Sequence, residues 1–387
     1  MTKRKLLLVS AGMCVCIMMY GILGNTLIAR VMHATCRIVN DIQHQLQIVR
    51  NITPEPLLND QGVNRSQRSD GAILVGTSEK VLSNRTGIRP SDADTVYNSR
   101  EEMPCVSNLR EELLCALKKN VPFSTITRKQ ASRDVRNGVL PEESLEKLAH
   151  FNSCAVVSSS HALRLHTYGQ EIDSHDIVLR FNCAPTDTFE QFVGSRTDIR
   201  MINTLVPLRH CQEEFWSRNS TMFKHGILVV GNMDGINFGP RGSLDIRQHI
   251  RQAFDNLVKY SRKFPKRAKP FIQRPRFGQD IMAELARFCV TTGLCDRPRL
   301  RPSSGILGIV MMLHLCDWVH VYELVPSNKD DSRLMYYFDE KTMWTAHDMH
   351  SYSQERVYVR TLSLTSEKDI EDTGVVLLKG FSQTQCD

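Results

Sequence analysis

Two stretches, Ala155-Val156-Val157-Ser158-Ser159-Ser160 and Ile177-Val178-Leu179-Arg180-Phe181-Asn182, decide the fold. Each begins as a short apolar run, rich in β-branched residues and free of alternation, and ends on polar residues. A strand with one wet face alternates apolar and polar positions, whereas an unbroken run belongs to a strand covered on both faces, as in a parallel sheet. Ile227 to Val230, Val319 to Tyr322 and Val375 to Leu378 read the same way, and helical stretches at Ile281 to Phe288 and Ile306 to Leu315 lie between some of them. Strands alternating with helices predict an α/β domain: a Rossmann-like, mainly parallel sheet with helices on both faces. Ligands of such sheets sit beyond the carboxyl ends of the strands, so the loops after Val157, Leu179, Ile202 and Val230 are the candidate site.

Three of those loops carry hydroxyls and carboxamides: Ser158-Ser159-Ser160, then Asn182 after Arg180-Phe181, then Asn203 after Met201-Ile202. Such groups recognise a base, ribose or phosphate without bringing a competing charge, although the capping of helices and turns would use the same residues. Pro302-Ser303-Ser304-Gly305 precedes an apolar helix, whose free N–H groups and dipole suit a phosphate or carboxylate. There is no Walker pattern and no G-x-G-x-x-G, and the one D-x-D, Asp92-Ala93-Asp94, lies in the polar segment before the core, which weakens nucleotide triphosphate, dinucleotide and metal-bridged sugar-nucleotide readings.

Outward from this core the chain changes character. The 387 residues, 41% hydrophobic and 24% charged, suffice for one large core, and the net charge of +7 is compatible with nucleic acid, a membrane surface or an anionic substrate. Location separates these. Residues 1–5 hold the cluster Lys3-Arg4-Lys5, and residues 6–29 are uncharged and long enough to cross a bilayer, which takes about 20 apolar residues. The run exceeds a signal-peptide core, so an uncleaved transmembrane signal anchor is expected, with the basic tail in the cytosol and the rest in the lumen. The expected topology is that of a single-pass type II membrane protein. Residues 30–104 are polar, with Tyr97 the single aromatic, and read as a luminal stem; residues 105–387 carry the core. Ile38, Ile42, Leu46 and Val49 keep a helical spacing that reads as a transient helix beside the membrane, with pairing of two stems into a homodimer as the functional alternative. Asn51, Asn64, Asn84 and Asn219 head glycosylation tripeptides, and ten of twelve cysteines follow the anchor, where disulfides persist. A nucleic-acid partner is not expected.

Four segments occur in order: Cys154-Ala-Val-Val-Ser-Ser with Glu171 to Pro185 and Val193 to Thr197; Arg301 to Gly308 running to Cys316-Asp317; Tyr336-Tyr-Phe-Asp339; and His350-x-x-x-x-Glu355. They resemble the long, short, third and very short motifs of the animal sialyltransferase family. The double serines and Tyr322-Glu-Leu-Val-Pro-Ser327 are most similar to its beta-galactoside alpha-2,6-sialyltransferase branch, over about Cys115 to Cys386. The resemblance implies a GT-A-like variant of the fold, located in the Golgi membrane. It also implies transfer of sialic acid from CMP-sialic acid to the 6-hydroxyl of terminal galactose or N-acetylgalactosamine on glycoprotein glycans, with inversion and no obligatory metal or other cofactor.

Carried over residue by residue, the resemblance makes His350 the general base, a role suited to a side chain that titrates near 6.5 when unperturbed. Ser159, Asn182 and Asn203 face the CMP part of the donor, Ser303, Ser304 and Gly305 its phosphate or carboxylate, and Tyr336 is a phosphate-side contact. Glu355 supports the loop or the base. Cys154 with Cys316 and Cys115 with Cys386 match two family disulfides. Cys289 and Cys295 can close a local loop, while Cys36, Cys105, Cys183 and Cys211 stay unassigned.

Three departures from the family pattern stand out, besides the absence of the cysteines that bracket its third motif. His161-Ala162 replaces a glycine-serine turn, histidine tolerating positive φ better than most residues; Cys183 replaces the usual glycine after Asn182; and Leu205 replaces a glutamine near the acceptor. Alternative readings are a sialyltransferase with another acceptor or linkage, a catalytically silent glycan-binding or scaffold protein of the same fold, and a zinc-dependent luminal hydrolase using His347, His350 and Glu355. The basic stretch Tyr260 to Gly278 reads as a solvated face, with an anionic glycoprotein or membrane surface as the functional alternative.

Overall fold

A computed structural model of the chain describes residues 104–130, 139–148, 150–224, 226–231, 233, 244–267, 269–298, 301–328, 333–343 and 350–386. The expected anchor, all of the stem before Pro104, the sequons at Asn51, Asn64 and Asn84, and His347 lie outside these residues. Among the described residues no helix is long and apolar enough to cross a membrane.

The elements run α1 (Pro104–Asn120), β1 (Phe151–Val157), a 3-10 helix (His161–Leu165), α2 (Gly169–Asp173), β2 (Ile177–Phe181), α3 (Glu190–Val193), β3 (Ile199–Ile202), α4 (Leu205–Leu208), α5 (Gln212–Trp216) and β4 (Ile227–Val230). They continue α6 (Leu244–Lys263), β5 (Phe271–Ile272), α7 (Arg276–Thr292), α8 (Ser304–Leu315), β6 (Cys316–Tyr322), β7 (Leu334–Tyr336), β8 (Asp339–Met343), α9 (Tyr352–Leu362), α10 (Glu367–Thr373) and β9 (Val375–Lys379). Seven strands form one sheet in the order β5-β4-β3-β2-β1-β6-β9, and β7 and β8 form a separate hairpin. Every pairing in the large sheet is parallel except β6 with β9.

The α/β reading holds, with helices on both faces. Cys154, Val156, Leu179, Phe181, Met201, Val229, Val319 and Val321 pack on one side with Leu114, Ile281, Ile309 and Tyr358 of α1, α7, α8 and α9. Their alternates face the other way. Ala155, Val157 and Val178 meet Leu163, Ile172 and Val193, while Ile202, Leu228, Val230 and Ile272 meet Val206, Phe215 and Leu257. Helix α8 is apolar all round because it is buried all round, with only Ser304 and His314 outside the core. Gly308 lets it lie close to the sheet: a Cβ there would stand 2.6 Å from the Phe181 ring and 3.0 Å from Leu179 Cδ2.

The boundaries differ from the sequence reading in physically sensible ways. Strand β2 runs two residues beyond Leu179 to Phe181, because Arg180 is accommodated inside the fold; β6 starts at Cys316, and the helix read over 281–288 spans Arg276–Thr292. The two-residue β5 carries too little periodicity to be read. The basic stretch from Tyr260 is not one solvated face, since it crosses the end of α6, β5 and the start of α7. Arg267 donates to Ser217 O at 2.6 Å, Lys263 lies 5.6 Å over the Trp216 ring and Arg274 bonds Asp280 at 3.3 Å, so part of its charge is used in packing.

Disulfides join Cys115 to Cys386, Cys154 to Cys316, Cys183 to Cys211 and Cys289 to Cys295. The first two close separations of 271 and 162 residues; by the loop-entropy account loops of that length give about 5–6 kcal/mol each, above the roughly 2–4 kcal/mol of a typical bridge.

Candidate active site

All six parallel strands end at one edge of the sheet, and α8, running back against them, starts there. At the end of β1 the three serines have separate tasks. The Ser158 hydroxyl accepts from Ser160 N–H at 3.0 Å, and the Ser160 hydroxyl caps the 3-10 helix by accepting from Ala162 N–H at 3.3 Å. The Ser159 hydroxyl has no hydrogen-bond partner among the described residues, while its carbonyl accepts from Tyr337 N–H at 3.1 Å. Ser160 also bridges Tyr336, so the β7–β8 hairpin is pinned on the serine loop. His161 enters the 3-10 helix without a positive φ. The loop passes into a helical turn, and no left-handed histidine is needed.

Beyond β2 and β3, Asn182 and Asn203 are mutually positioned. Asn182 sits in the left-handed region at φ 46°, which asparagine tolerates. Its N–H donates to Met201 O at 2.8 Å, and its Oδ1 accepts from Asn203 N–H at 3.0 Å. Asn203 Oδ1 in turn accepts from Leu205 N–H at 2.9 Å. With both carboxamide oxygens engaged, the two Nδ2 groups are the donors these side chains still offer.

A buried guanidinium supports this pair from beneath. Arg200 Nη1 donates to Asn182 O at 2.9 Å and Ala184 O at 3.0 Å, and its Nε donates to Met222 O at 2.9 Å. Burial draws its pKa down to about 10, with the charge of neighbouring Arg180 acting in the same direction. Arg180 lies beside it in register, donating to Arg196 O and Val193 O.

The start of α8 is built from the short and very short motifs together. Ser303 caps the helix, its Oγ accepting from Ile306 N–H at 3.2 Å. Glu355, 5% exposed, receives Ser303 N–H on Oε1 at 2.8 Å and the Ser303 hydroxyl on Oε2 at 2.5 Å. Burial raises the Glu355 carboxyl above its ordinary value, with the Ser303 bonds opposing. Ser303 is therefore committed to Glu355, whereas the N–H groups of Ser304 and Gly305 have no acceptor among the described residues. His350 lies alongside, bridged to Arg301, with Nδ1 3.0 Å from the Arg301 carbonyl. A carbonyl can only accept, so Nδ1 carries a proton, and in the neutral form of the ring the lone pair is on Nε2. The Tyr352 ring packs edge-on against it at 5.3 Å.

Hydroxyl, carboxamide and backbone donors thus occupy one sheet edge, together with one histidine whose tautomer is set. Donors of this kind can hold an anion, and an oriented lone pair can take a proton. Among the described residues no three His, Cys, Asp or Glu side chains form a group that could hold a metal ion. The sequence reading missed Arg200, the Ser303 to Glu355 contact and the Cys183–Cys211 bridge. Arg200 had a signal, a charge inside the apolar strand Ile199-Arg200-Met201-Ile202. The other two join residues far apart in sequence, so neither pairing could be read from it.

The sequence model of "Glycosyltransferase family 29 (sialyltransferase)" matches residues 107–367. The chain belongs to the sialyltransferases of glycosyltransferase family 29. Beta-galactoside alpha-2,6-sialyltransferase 1 of Homo sapiens is 32% identical over 297 residues, covering 73% of this chain and 68% of that protein. Beta-galactoside alpha-2,6-sialyltransferase 2 of Rattus norvegicus is 32% identical over 286 residues, covering 71% of this chain, and the chain spans about half of its length (51%). A crystal structure of a mammalian sialyltransferase in complex with Gal-beta-1-3GalNAc-ortho-nitrophenol matches at 19% identity and a TM-score of 0.38, covering 69% of this chain and 85% of that one. In this family the edge just described falls within the matched segment, from Ser159 through Glu355.

Proposed function

We propose that this sialyltransferase moves sialic acid from CMP-sialic acid to the 6-hydroxyl of terminal galactose or N-acetylgalactosamine on glycoprotein glycans, with His350 as base. The observation that carries the mechanism is the Nδ1 contact of His350 with Arg301, which leaves Nε2 as proton acceptor beside the start of α8. The acceptor hydroxyl loses its proton to Nε2 while its oxygen bonds the anomeric carbon. On the opposite side the bond from that carbon to the phosphate oxygen breaks, inverting the centre and releasing CMP.

CMP leaves as an anion. The Ser159 hydroxyl, the Nδ2 groups of Asn182 and Asn203, and the N–H groups of Ser304 and Gly305 are the donors assigned to the donor substrate and its departing charge, with Tyr336 on the phosphate side. Ser303 and Glu355 act one step back by holding the helix start. Donors fixed before the reaction stabilise developing charge without a cation, so no obligatory metal is assigned.

The catalytic domain is assigned to residues 105–387, in the Golgi lumen, on a stem of residues 30–104 and a type II anchor at residues 6–29. Four disulfides among the described residues suit an oxidising compartment. Pairing of stems into a homodimer belongs to the same proposal. The 2,6 linkage and the galactose-type acceptor rest on likeness to the curated relatives. The test is incubation of the full chain in detergent with labelled CMP-sialic acid and EDTA on LacNAc and LacdiNAc, with the product linkage read by NMR. A 2,6-linked product is expected; a folded, disulfide-bonded protein that transfers to neither sugar would overturn the reading.

A further inference from the structure

The residue after Asn182 is a cysteine, and it is bonded to Cys211, 28 residues on, beyond the loop that carries Asn203. We infer that the Cys183–Cys211 disulfide is a positioning device for the donor site, holding the Asn182 turn in its binding shape; this rests on the reading of Asn182 as a donor-binding residue.

Asn182 is held at φ 46°, a conformation that costs an L-residue energy and persists where the surroundings over-determine it. The surroundings act on both sides of Cys183. Arg200 Nη1 takes the carbonyls of Asn182 and Ala184, the residues flanking the cysteine, at 2.9 and 3.0 Å. The cysteine itself is tied to Cys211, which is the N-cap of α5 and is also left-handed, at φ 39°.

The far end of this tether is firmly seated. Phe215 of α5 is fully buried and stacked on Tyr260 at 4.5 Å, and its N–H donates to Cys211 O at 2.8 Å. Gln212 Nε2 donates to Val206 O at 2.5 Å and its Oε1 accepts from Trp216 Nε1–H at 2.9 Å, locking α5 to the loop after β3. That loop begins at Asn203, whose N–H donates to Asn182 Oδ1. The chain therefore makes a closed circuit, from Asn182 through the disulfide to α5, back along the loop to Asn203 and across to Asn182. Opening it at the disulfide frees the turn that fixes where Asn182 Nδ2 points. The cost falls on binding, because a ligand must then order the turn itself.

The experiment compares the full chain in detergent with Cys183→Ser/Cys211→Ser, Cys183→Ala/Cys211→Asn and Asn182→Ala. The second pair provides a residue that accepts φ 39°, should serine there prevent folding. CMP affinity by calorimetry, donor KM, acceptor KM, kcat and melting temperature are read for each. Re-ordering a short turn costs about 3-fold to 10-fold in CMP affinity and donor KM, with kcat within about twofold and acceptor KM unchanged. Opening the same bridge in the wild-type chain with a dithiol, which is oxidised to its disulfide as Cys183 and Cys211 become thiols, gives the same comparison. Alkylation and mass spectrometry identify samples in which this pair alone is open.

A lowered melting temperature with CMP affinity and donor KM unchanged would overturn the inference and leave the bridge a staple, provided Asn182→Ala does weaken CMP. If Asn182→Ala leaves CMP affinity intact, the assignment of Asn182 fails, and the inference fails with it.

Discussion

Removing the Glu355 carboxylate tests how the helix start is held. In Glu355→Ala the Ser303 N–H loses its acceptor in a buried setting, while the Ser303 hydroxyl loses one partner but still accepts from Ile306 N–H. Hydrogen bonds to a charged group contribute about 1.5–3 kcal/mol each, and relief from burying a carboxylate offsets part of that, leaving a net loss of about 2–3 kcal/mol. In a domain of this size that corresponds to a fall in Tm of about 4–12 °C. Glu355→Gln keeps an acceptor for Ser303 N–H and is expected to lose less than about half as much. Thermal unfolding followed by circular dichroism, with transfer rate measured in parallel, separates the two variants. Alanine and glutamine variants both melting within about 1 °C of wild type would refute the claim that this carboxylate holds the start of α8.

Further expectations follow from the same contacts. Glu355 has its pKa raised above 4.5, chiefly by burial; an acid with a higher folded pKa favours the fold while protonated, so that contribution is full below the unfolded value and lost as pH climbs through the folded one. Wild-type stability relative to Glu355→Gln, measured by urea titration, should therefore decline from about pH 4.5 upward, and a relative rise would contradict it. Arg200→Lys cannot reproduce three bonds from a planar fork and should cost about 3 kcal/mol or more in denaturant unfolding; a loss under about 0.5 kcal/mol would show that the clamp on Asn182 and Ala184 is dispensable. Gly308→Ala puts a methyl 2.6 Å from the Phe181 ring and should destabilise by about 1–3 kcal/mol, with an unchanged melting curve counting against the close seat of α8.

What could be read from the chain follows from what leaves a local signature. Strands buried on both faces announce themselves as unbroken apolar runs, so β1, β2, β4, β6 and β9 were legible, and with them the edge where ligands gather. β5, two residues long, was not, because its place is fixed by pairing with β4 rather than by its own pattern. Site residues divide in the same way. Ser159, Asn182 and Asn203 follow strand ends in the sequence and could be listed from it, but only the folded chain shows Ser158 and Ser160 consumed by capping and both carboxamide oxygens already bonded. Arg200 looks like a misplaced charge in an apolar strand until its three carbonyl acceptors are seen. Ser303 read as a ligand donor in the sequence, and its commitment to Glu355 emerges only when residues 52 apart meet. Cys183 shows only as a departure from glycine; its bond to Cys211 is a matter of tertiary distance.

The central claim is that His350 removes the acceptor proton while other groups bind the donor. The direct measurement is single-turnover transfer by His350→Ala in the full chain, beside its CMP affinity. Loss of a positioned general base lowers the chemical step by about 10²–10⁴-fold. The expected result is a loss in that range with CMP affinity within about twofold of wild type; transfer retained within about tenfold, or a loss explained wholly by weakened CMP binding, would contradict it.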